Sequence, residues 1–269
     1  MKWLTAFGFL VLGLVLLGGG AVINRELTGR APLFARADDI PSTSESAPSP
    51  HWAAAVERAR PMVRAAIMDQ NLPGISMAVG VGADAGTVVW AEGFGWRDIV
   101  TKAPVTPKTR FNIGTAARAI TAGTVDSAAD WSPGHIGEDE EDAPPIVFIH
   151  DVLRRVGIAD PAKPLPDDRA TFYVPSGPWQ ADSTDPHRRR LMPMRDLACC
   201  ANGKAFSSTP FEIVRFALTT KADSVNGELA GGRVLSLVTR PDKGIAVAVA
   251  SNIAHADTAA LAMKVAEVF

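Results

Sequence analysis

Cysteine is nearly absent from this chain: Cys199 and Cys200 are the only two, and they are adjacent. A bridge between neighbours strains the peptide that joins them, so no disulfide scaffold is expected. Two thiols alone make a poor metal site, and the pair reads as small residues near a bend. Histidine is scarce too. His51, His135, His150, His187 and His255 show no paired metal spacing, so no metal centre is expected. An excess of either charge is missing as well, since the net charge is -2 with 21% charged residues. That balance gives no electrostatic reason for a nucleic-acid partner. The acidic run from Glu138 to Asp142 lacks the Gly and the alternating ligands of a calcium loop and reads as a solvated loop. "GLVLLGGG" lacks the Lys of a phosphate loop. No cofactor is implied by any motif. Tyrosine occurs once, as Tyr173.

What the chain does have is length and a long apolar start. Its 269 residues suffice to bury a sizeable core in one large domain or two intertwined subdomains. From Trp3 to Ile23 there is no charged residue, and about twenty apolar residues span a bilayer. A cleaved signal needs a small-residue site soon after the apolar run. The nearest match, Ala35-Arg36-Ala37, lies well downstream. Residues 1–24 therefore read as a membrane anchor in preference to a removed signal, with the C-terminal part exported to a periplasmic or extracellular side. "HRRR", from His187 to Arg190, reads as a solvated patch; contact with anionic lipid is the alternative.

Residues 25–50 are rich in Pro, Ser and Ala without apolar periodicity, and a flexible linker is expected there. "WAAAVERARPMVRAAIMDQNLPG" has helical spacing interrupted by Pro61 and stops at Pro73-Gly74. "ISMAVGVG" and "TVVWAEGFGWRD", joined by "ADAG", give a hairpin signal. "IVFIHDVLRRVGI" reads as a helix, and the Pro-rich stretch after it as a long surface loop. "STPFEIVRFAL" reads as a helix capped by Ser208 or Thr209, with Pro210 in its first turn and Glu212 at the capping-box position. "RVLSLVTRPDKGIAVAVASN" reads as two strands around a Pro241–Gly244 turn, and "HADTAALAMKVAEVF" as a closing helix. The order predicts an α+β fold: an antiparallel sheet flanked by terminal helices, with a helical insertion over roughly 122–200.

Within residues 51–269, two blocks carry a resemblance. Pro73-Gly74, Trp90, Gly93-Phe94-Gly95, Pro104-Val105-Thr106-Pro107, Thr109, Phe111, Ile113-Gly114 and Thr121 stand in register with a run of the form P-G, W-x-x-G-F-G, P-V-T-P-x-T, F-x-I-G-S-x-x-K-x-x-T. "NGKAFSSTPFEIVRFAL" is similar to a later segment, G-G-x-x-S-T-x-x-D-L-x-R-F. On these motifs the chain resembles the serine beta-lactamase and penicillin-binding-protein-like superfamily. Its class C-like serine hydrolases, including the mitochondrial serine beta-lactamase-like proteins, are the nearest likeness. The resemblance implies a beta-lactamase/transpeptidase-like fold whose helical insertion here is about half the usual length.

The resemblance also assigns roles. Thr115 occupies the nucleophile position, where the family has Ser, and Arg118 the position of the Lys one turn on. A Thr methyl restricts χ1 and crowds the attack trajectory. A guanidinium keeps its proton and so cannot serve as a general base. The family's Tyr-x-Asn motif is matched only loosely by Tyr173, which otherwise reads as a half-buried aromatic. Gly231 and Gly232 take the place of its oxyanion-strand H-T-G-G motif, without the cation and the hydroxyl. "IVFIHDVLRRVGI" stands for a helix that ends in Ser-Gly in the family and in Val156-Gly157 here. The expectation is a membrane-anchored, catalytically inactive member that binds a cell-envelope ligand or a related active enzyme. The alternative is an active esterase, peptidase or beta-lactamase-like enzyme that uses Thr115 with a replacement base such as His150 or Tyr173. A purely structural anchor without ligand is the third reading.

Overall fold

The computed structural model describes residues 32–45, 47–82, 87–117, 120, 168–176, 190–193 and 207–269. The first element after the entry turn is β1 (Ser42–Ser44), followed by α1 (Pro50–Gln70), β2 (Gly74–Val81), β3 (Thr87–Asp98), β4 (Ala103–Pro104) and β5 (Phe111–Asn112). Beyond these lie β6 (Tyr173–Ser176), β7 (Arg190–Pro193), β8 (Ser207–Ser208) and α2 (Pro210–Thr220). The chain closes with β9 (Val225–Leu229), β10 (Gly232–Arg240), β11 (Ile245–Ser251) and α3 (Thr258–Ala266).

One antiparallel sheet organises the described residues, in the order β1-β3-β2-β11-β10-β9, with β4 paired to β3. Its centre is the β2–β11 pairing, which runs from Ile245 opposite Val81 to Ser251 opposite Ile75. The two hairpins read from opposite ends of the chain are thereby joined. The α+β architecture with terminal helices on an antiparallel sheet is therefore present.

The sheet is covered on both faces, and side-chain size differs between them. Ile75, Met77, Val79, Ile245, Val247 and Val249 pack with α1 and α3. Ala78, Ala246, Ala248 and Ala250 face the other way, toward Ile213, Val214 and Ala217 of α2. Because successive strand residues alternate faces, bulky aliphatics fill one side while alanines let α2 lie close on the other. Burial on both faces also explains why β2 and β11 read as near-continuous apolar runs.

α1 runs unbroken through Pro61, where the sequence predicted an interruption. A proline inside a helix costs about 3 kcal/mol. Its stripe of Val56, Val63 and Ile67 is fully buried, at about 1.5–3 kcal/mol for each such side chain. Pro61 itself lies on the solvent side. Packing outweighs the lost hydrogen bond.

The flexible linker expected over 25–50 is corrected for residues 32–45. The Leu33 backbone N–H donates to Asn71 Oδ1 at 2.8 Å, and Phe34 stacks on Trp96 at 6.2 Å. Arg64 donates to the carbonyls of Ala37 and Ile40, each at 2.7 Å. β1 then pairs with Glu92–Phe94 of β3. Leu33, Phe34 and Ile40 have no regular spacing, so no period betrays the element.

Within the expected helical insertion, the described residues are extended, forming the antiparallel pair β6–β7. The Pro-rich stretch read as a surface loop contains Tyr173, which is 0% exposed and not the half-buried aromatic expected. The predicted "IVFIHDVLRRVGI" helix lies outside the described residues, as do the "ADAG" turn, both cysteines and the Trp3–Ile23 run. Among the described residues, no helix is long and apolar enough to cross a membrane.

Candidate functional site

β5 enters the site through Arg110, which is tied down at three points. Its guanidinium donates to Glu212 Oε1 at 2.9 Å and to the Ser207 carbonyl at 3.2 Å. Its backbone N–H donates to the Asp168 carbonyl at 3.0 Å. Glu212 in turn accepts from the Ser208 hydroxyl at 2.8 Å and the Thr209 N–H at 3.1 Å. The Thr209 hydroxyl accepts from the Glu212 N–H, which completes the capping box read in the sequence. Thus β5, β8 and the start of α2 form one polar knot beneath the turn that follows.

That turn is built by Asn112 and Gly114. Asn112 Oδ1 accepts from the Gly114 N–H at 2.9 Å, a side-chain mimic of a backbone turn. Gly114 has φ +54°, and a Cβ there would lie 2.2 Å from the Glu228 carbonyl oxygen. Opposite it, a Cβ on Gly227 would lie 2.0 Å from the Ile113 oxygen. Two glycines therefore allow β9 and the turn to approach backbone to backbone. The helical turn starts at Ala116, which is fully buried.

Thr115 is exposed at the head of this helical turn. Its N–H donates to the Glu228 carbonyl at 3.1 Å, and its hydroxyl oxygen accepts from the Glu228 N–H at 3.0 Å. The two residues clasp each other reciprocally. A hydroxyl nucleophile needs a base within about 2.6–3.2 Å to take its proton. The bond here is to an amide N–H, which is a donor. Stabilising an oxyanion needs N–H groups aimed at it. Both N–H groups at this spot are engaged with the partner residue.

Of the other residues singled out in the sequence, Tyr173 packs in a different cluster from the Thr115 turn. Arg118 lies outside the described residues, as does His150. Tyr173 belongs to the cluster on the α1/α3 side, whereas Ala116 and Ala117 belong to the cluster under α2. The Tyr173 hydroxyl accepts from the Ile99 N–H at 2.9 Å. Burial, reinforced by the nearby Asp98 carboxylate, pushes its pKa above the ordinary 10.0, which makes its phenolate harder to form as a base. Asp98 itself is held below 3.8, chiefly by the Thr101 N–H.

Gly231 and Gly232 lie at the β9–β10 connection. Ala230 at φ +51° and Gly231 at φ +79° form the turn, and Gly232 opens β10 opposite Leu229. A Cβ on Gly232 would meet the Ala254 oxygen at 1.9 Å. The strand beside Thr115 is β9, with Asn226-Gly227-Glu228 abreast of the turn, a few residues before the assigned pair. The available signal was the "LAGG" turn itself, since a hairpin turn demands a strand on its N-terminal side as well.

A cavity of about 380 Å³ lies at the C-terminal end of α2, lined by residues 220–225 with Ile120, Phe216 and Leu237. Its lining combines apolar Ile120, Phe216, Val225 and Leu237 with polar Thr220, Ser224, Lys221 and Asp223. Among the described residues, no group of His, Cys, Asp or Glu is arranged to hold a metal ion.

No family model and no curated protein sequence matches this chain. Solved structures do match. A D-alanine carboxypeptidase AmpC from Burkholderia cenocepacia aligns over 80% of this chain and 99% of its own, at 10% identity and TM-score 0.53. A class C beta-lactamase aligns over 82% and 99%, at 11% identity and TM-score 0.52. The octameric penicillin-binding protein homologue from Pyrococcus abyssi aligns over 79% and 77%, at 14% identity and TM-score 0.51. The chain thus has the fold of the serine beta-lactamase and penicillin-binding-protein-like superfamily, as its motifs implied.

Proposed function

We propose that this protein is a membrane-anchored, catalytically inactive relative of the serine beta-lactamase-like hydrolases, a binding or regulatory module of the cell envelope. The observation that carries the reading is the clasp between Thr115 and Glu228. It engages the hydroxyl at the nucleophile position and both neighbouring N–H groups with one another. Arg118, at the position its motif assigns to the family's Lys, carries a guanidinium that keeps its proton and cannot serve as the base. A cell-envelope ligand or a related active enzyme is the partner. The cavity at the C-terminal end of α2, with apolar and charged side chains in its lining, gives a small ligand room. The anchoring rests on the charge-free Trp3–Ile23 run. With Leu33 already packed into the fold, the connection to the membrane is under ten residues, about 30 Å fully extended.

The second reading, an active hydrolase with Thr115 as nucleophile, draws on the exposure of Thr115 at the head of a helical turn. Hydrolysis of a panel of esters and penicillins by the full-length protein separates the two. On the inactive reading, wild type and Thr115→Ala have the same background rate. Turnover that Thr115→Ala abolishes and Thr115→Ser retains would refute it. Activity gained only in Thr115→Ser with Arg118→Lys would show a site that still accepts substrate but has lost its chemistry.

A further inference from the structure

We propose that the β3–β4 turn, residues 99–102, is a membrane-docking tip for an anionic lipid surface. The inference rests on the anchoring read from the charge-free Trp3–Ile23 run and adds a second lipid contact to it. Its first support is where the chain enters the fold. The Leu33 N–H donates to Asn71 Oδ1 at 2.8 Å, at the C-terminal end of α1, and the Phe34 ring stacks on Trp96 at 6.2 Å. Trp96 is held beside the start of β2, where its N–H donates to the Pro73 carbonyl at 2.7 Å. Val100 is four residues beyond Trp96, within about 14 Å along the chain. The entering chain and the turn therefore lie at the same end of the sheet.

The second support is what the turn presents. Val100 is 78% exposed, the most exposed large hydrophobic side chain among the described residues. One exposed apolar residue is ordinary on a surface, but this one is held in place. Asp98 Oδ1 accepts from the Val100 N–H at 2.9 Å, the Thr101 N–H at 2.8 Å and the Thr101 hydroxyl at 3.0 Å. Its Oδ2 accepts from the Thr171 hydroxyl at 2.8 Å, and the Ile99 N–H donates to the Tyr173 hydroxyl at 2.9 Å. With these donors satisfied inside the protein, the turn can enter a headgroup layer without carrying three unpaired N–H groups into it. Lys102 follows, exposed and at φ +53°, with an ammonium that suits anionic headgroups. Val100 then reaches the acyl boundary while Lys102 stays with the phosphates. The consequence reaches Thr115. Each step from β2 through β11 and β10 to β9 is antiparallel, so β9 finishes at the end where β2 begins. Three strand spacings, about 14 Å, separate the two strands. A docked tip therefore turns the end that holds Thr115 and Glu228 toward the membrane.

Spin-label accessibility of the full-length protein in vesicles of phosphatidylcholine and phosphatidylglycerol tests it. Cys199→Ser and Cys200→Ser remove the native thiols, and Val100→Cys or Lys243→Cys carries the nitroxide. Both positions are exposed, so neither label disturbs a packed side chain. Lys243 lies in the β10–β11 turn, at the opposite end of the sheet. The label at position 100 is expected to lose most of its collisions with a water-soluble nickel chelate and to gain collisions with oxygen, which concentrates in lipid. The label at position 243 stays as open to the chelate as in free solution. Adding Lys102→Glu moves the label at position 100 back toward water. Retention on the vesicles in alkaline carbonate reads the anchor separately. A label at position 100 as open to the chelate as that at position 243, on protein that carbonate does not strip, overturns the docking tip and leaves the anchor standing. Protein stripped by carbonate refutes the anchor, and the docking proposal with it. A label that stays in lipid with Lys102→Glu overturns the anionic preference.

Discussion

Replacing Phe34 by Ala tests whether residues 32–45 belong to the fold. Phe34 is 5% exposed, lies in the cluster with Ile40, Leu72 and Phe94, and stacks on Trp96 at 6.2 Å with rings 25° apart. Truncating a buried Phe to Ala costs about 3–5 kcal/mol when the cavity cannot collapse. The segment can lower that cost by undocking. Its other attachments are the Asn71 bond to Leu33, the Arg64 bonds to Ala37 and Ile40, and three β1 residues on β3. The expected loss is therefore about 2–4 kcal/mol, at or just below the rigid-site figure. Urea denaturation of the full-length protein measures it, and limited trypsin digestion gives an independent reading at Arg36. Wild type resists cleavage there, and Phe34→Ala is cut. A linker behaves otherwise: a loss under about 0.5 kcal/mol, typical of surface positions, or cutting at Arg36 in wild type as fast as in the variant, refutes the packing described.

Tyr173 is the sole tyrosine, so phenolate absorbance reports on it alone. Its pKa is raised above 10.0 by burial, so the unfolded chain releases that proton first. The associated stability is intact below pH 10 and falls as pH climbs toward the folded value. Tyr173→Phe should lack that alkaline decline, and a phenol titrating at 10.0 or lower in the folded protein would contradict the burial. The Asp98 pKa is lowered below 3.8 by Thr101, Thr171 and Val100. Its stabilisation is therefore present above that value and lost as pH falls through the folded one, and the Tm gap between wild type and Asp98→Asn should close in acid. Thr209→Ala removes the cap of α2 and should cost about 1 kcal/mol in thermal unfolding, with Thr209→Ser nearly silent.

The parts of the fold legible in the sequence are those where period and punctuation agree. β2, β3, β10 and β11 are long apolar runs closed by turns, and α2 announces itself through Thr209, Pro210 and Glu212. The entry segment was not legible because three apolar residues at irregular intervals fill gaps left by other elements. Tyr173 misled for a similar reason. Its burial comes from the end of β11, where its N–H meets the Asn252 carbonyl at 2.8 Å, a contact far away in sequence. At the site, Thr115 could be found from its motif, while its partner Glu228 could not. Pairing of β9 with β10 includes an irregularity between Arg233 and Leu235, and counting residues back from the Gly231-Gly232 turn does not reveal which backbone group meets Thr115.

We propose that Thr115, at the position its motif assigns to the nucleophile, is locked into structure by Glu228 and does no chemistry. Intact-mass measurement of the full-length protein after incubation with a fluorophosphonate and with a penicillin tests it most directly. An unmodified mass is expected with both reagents. A stoichiometric covalent adduct mapped to Thr115 would contradict it.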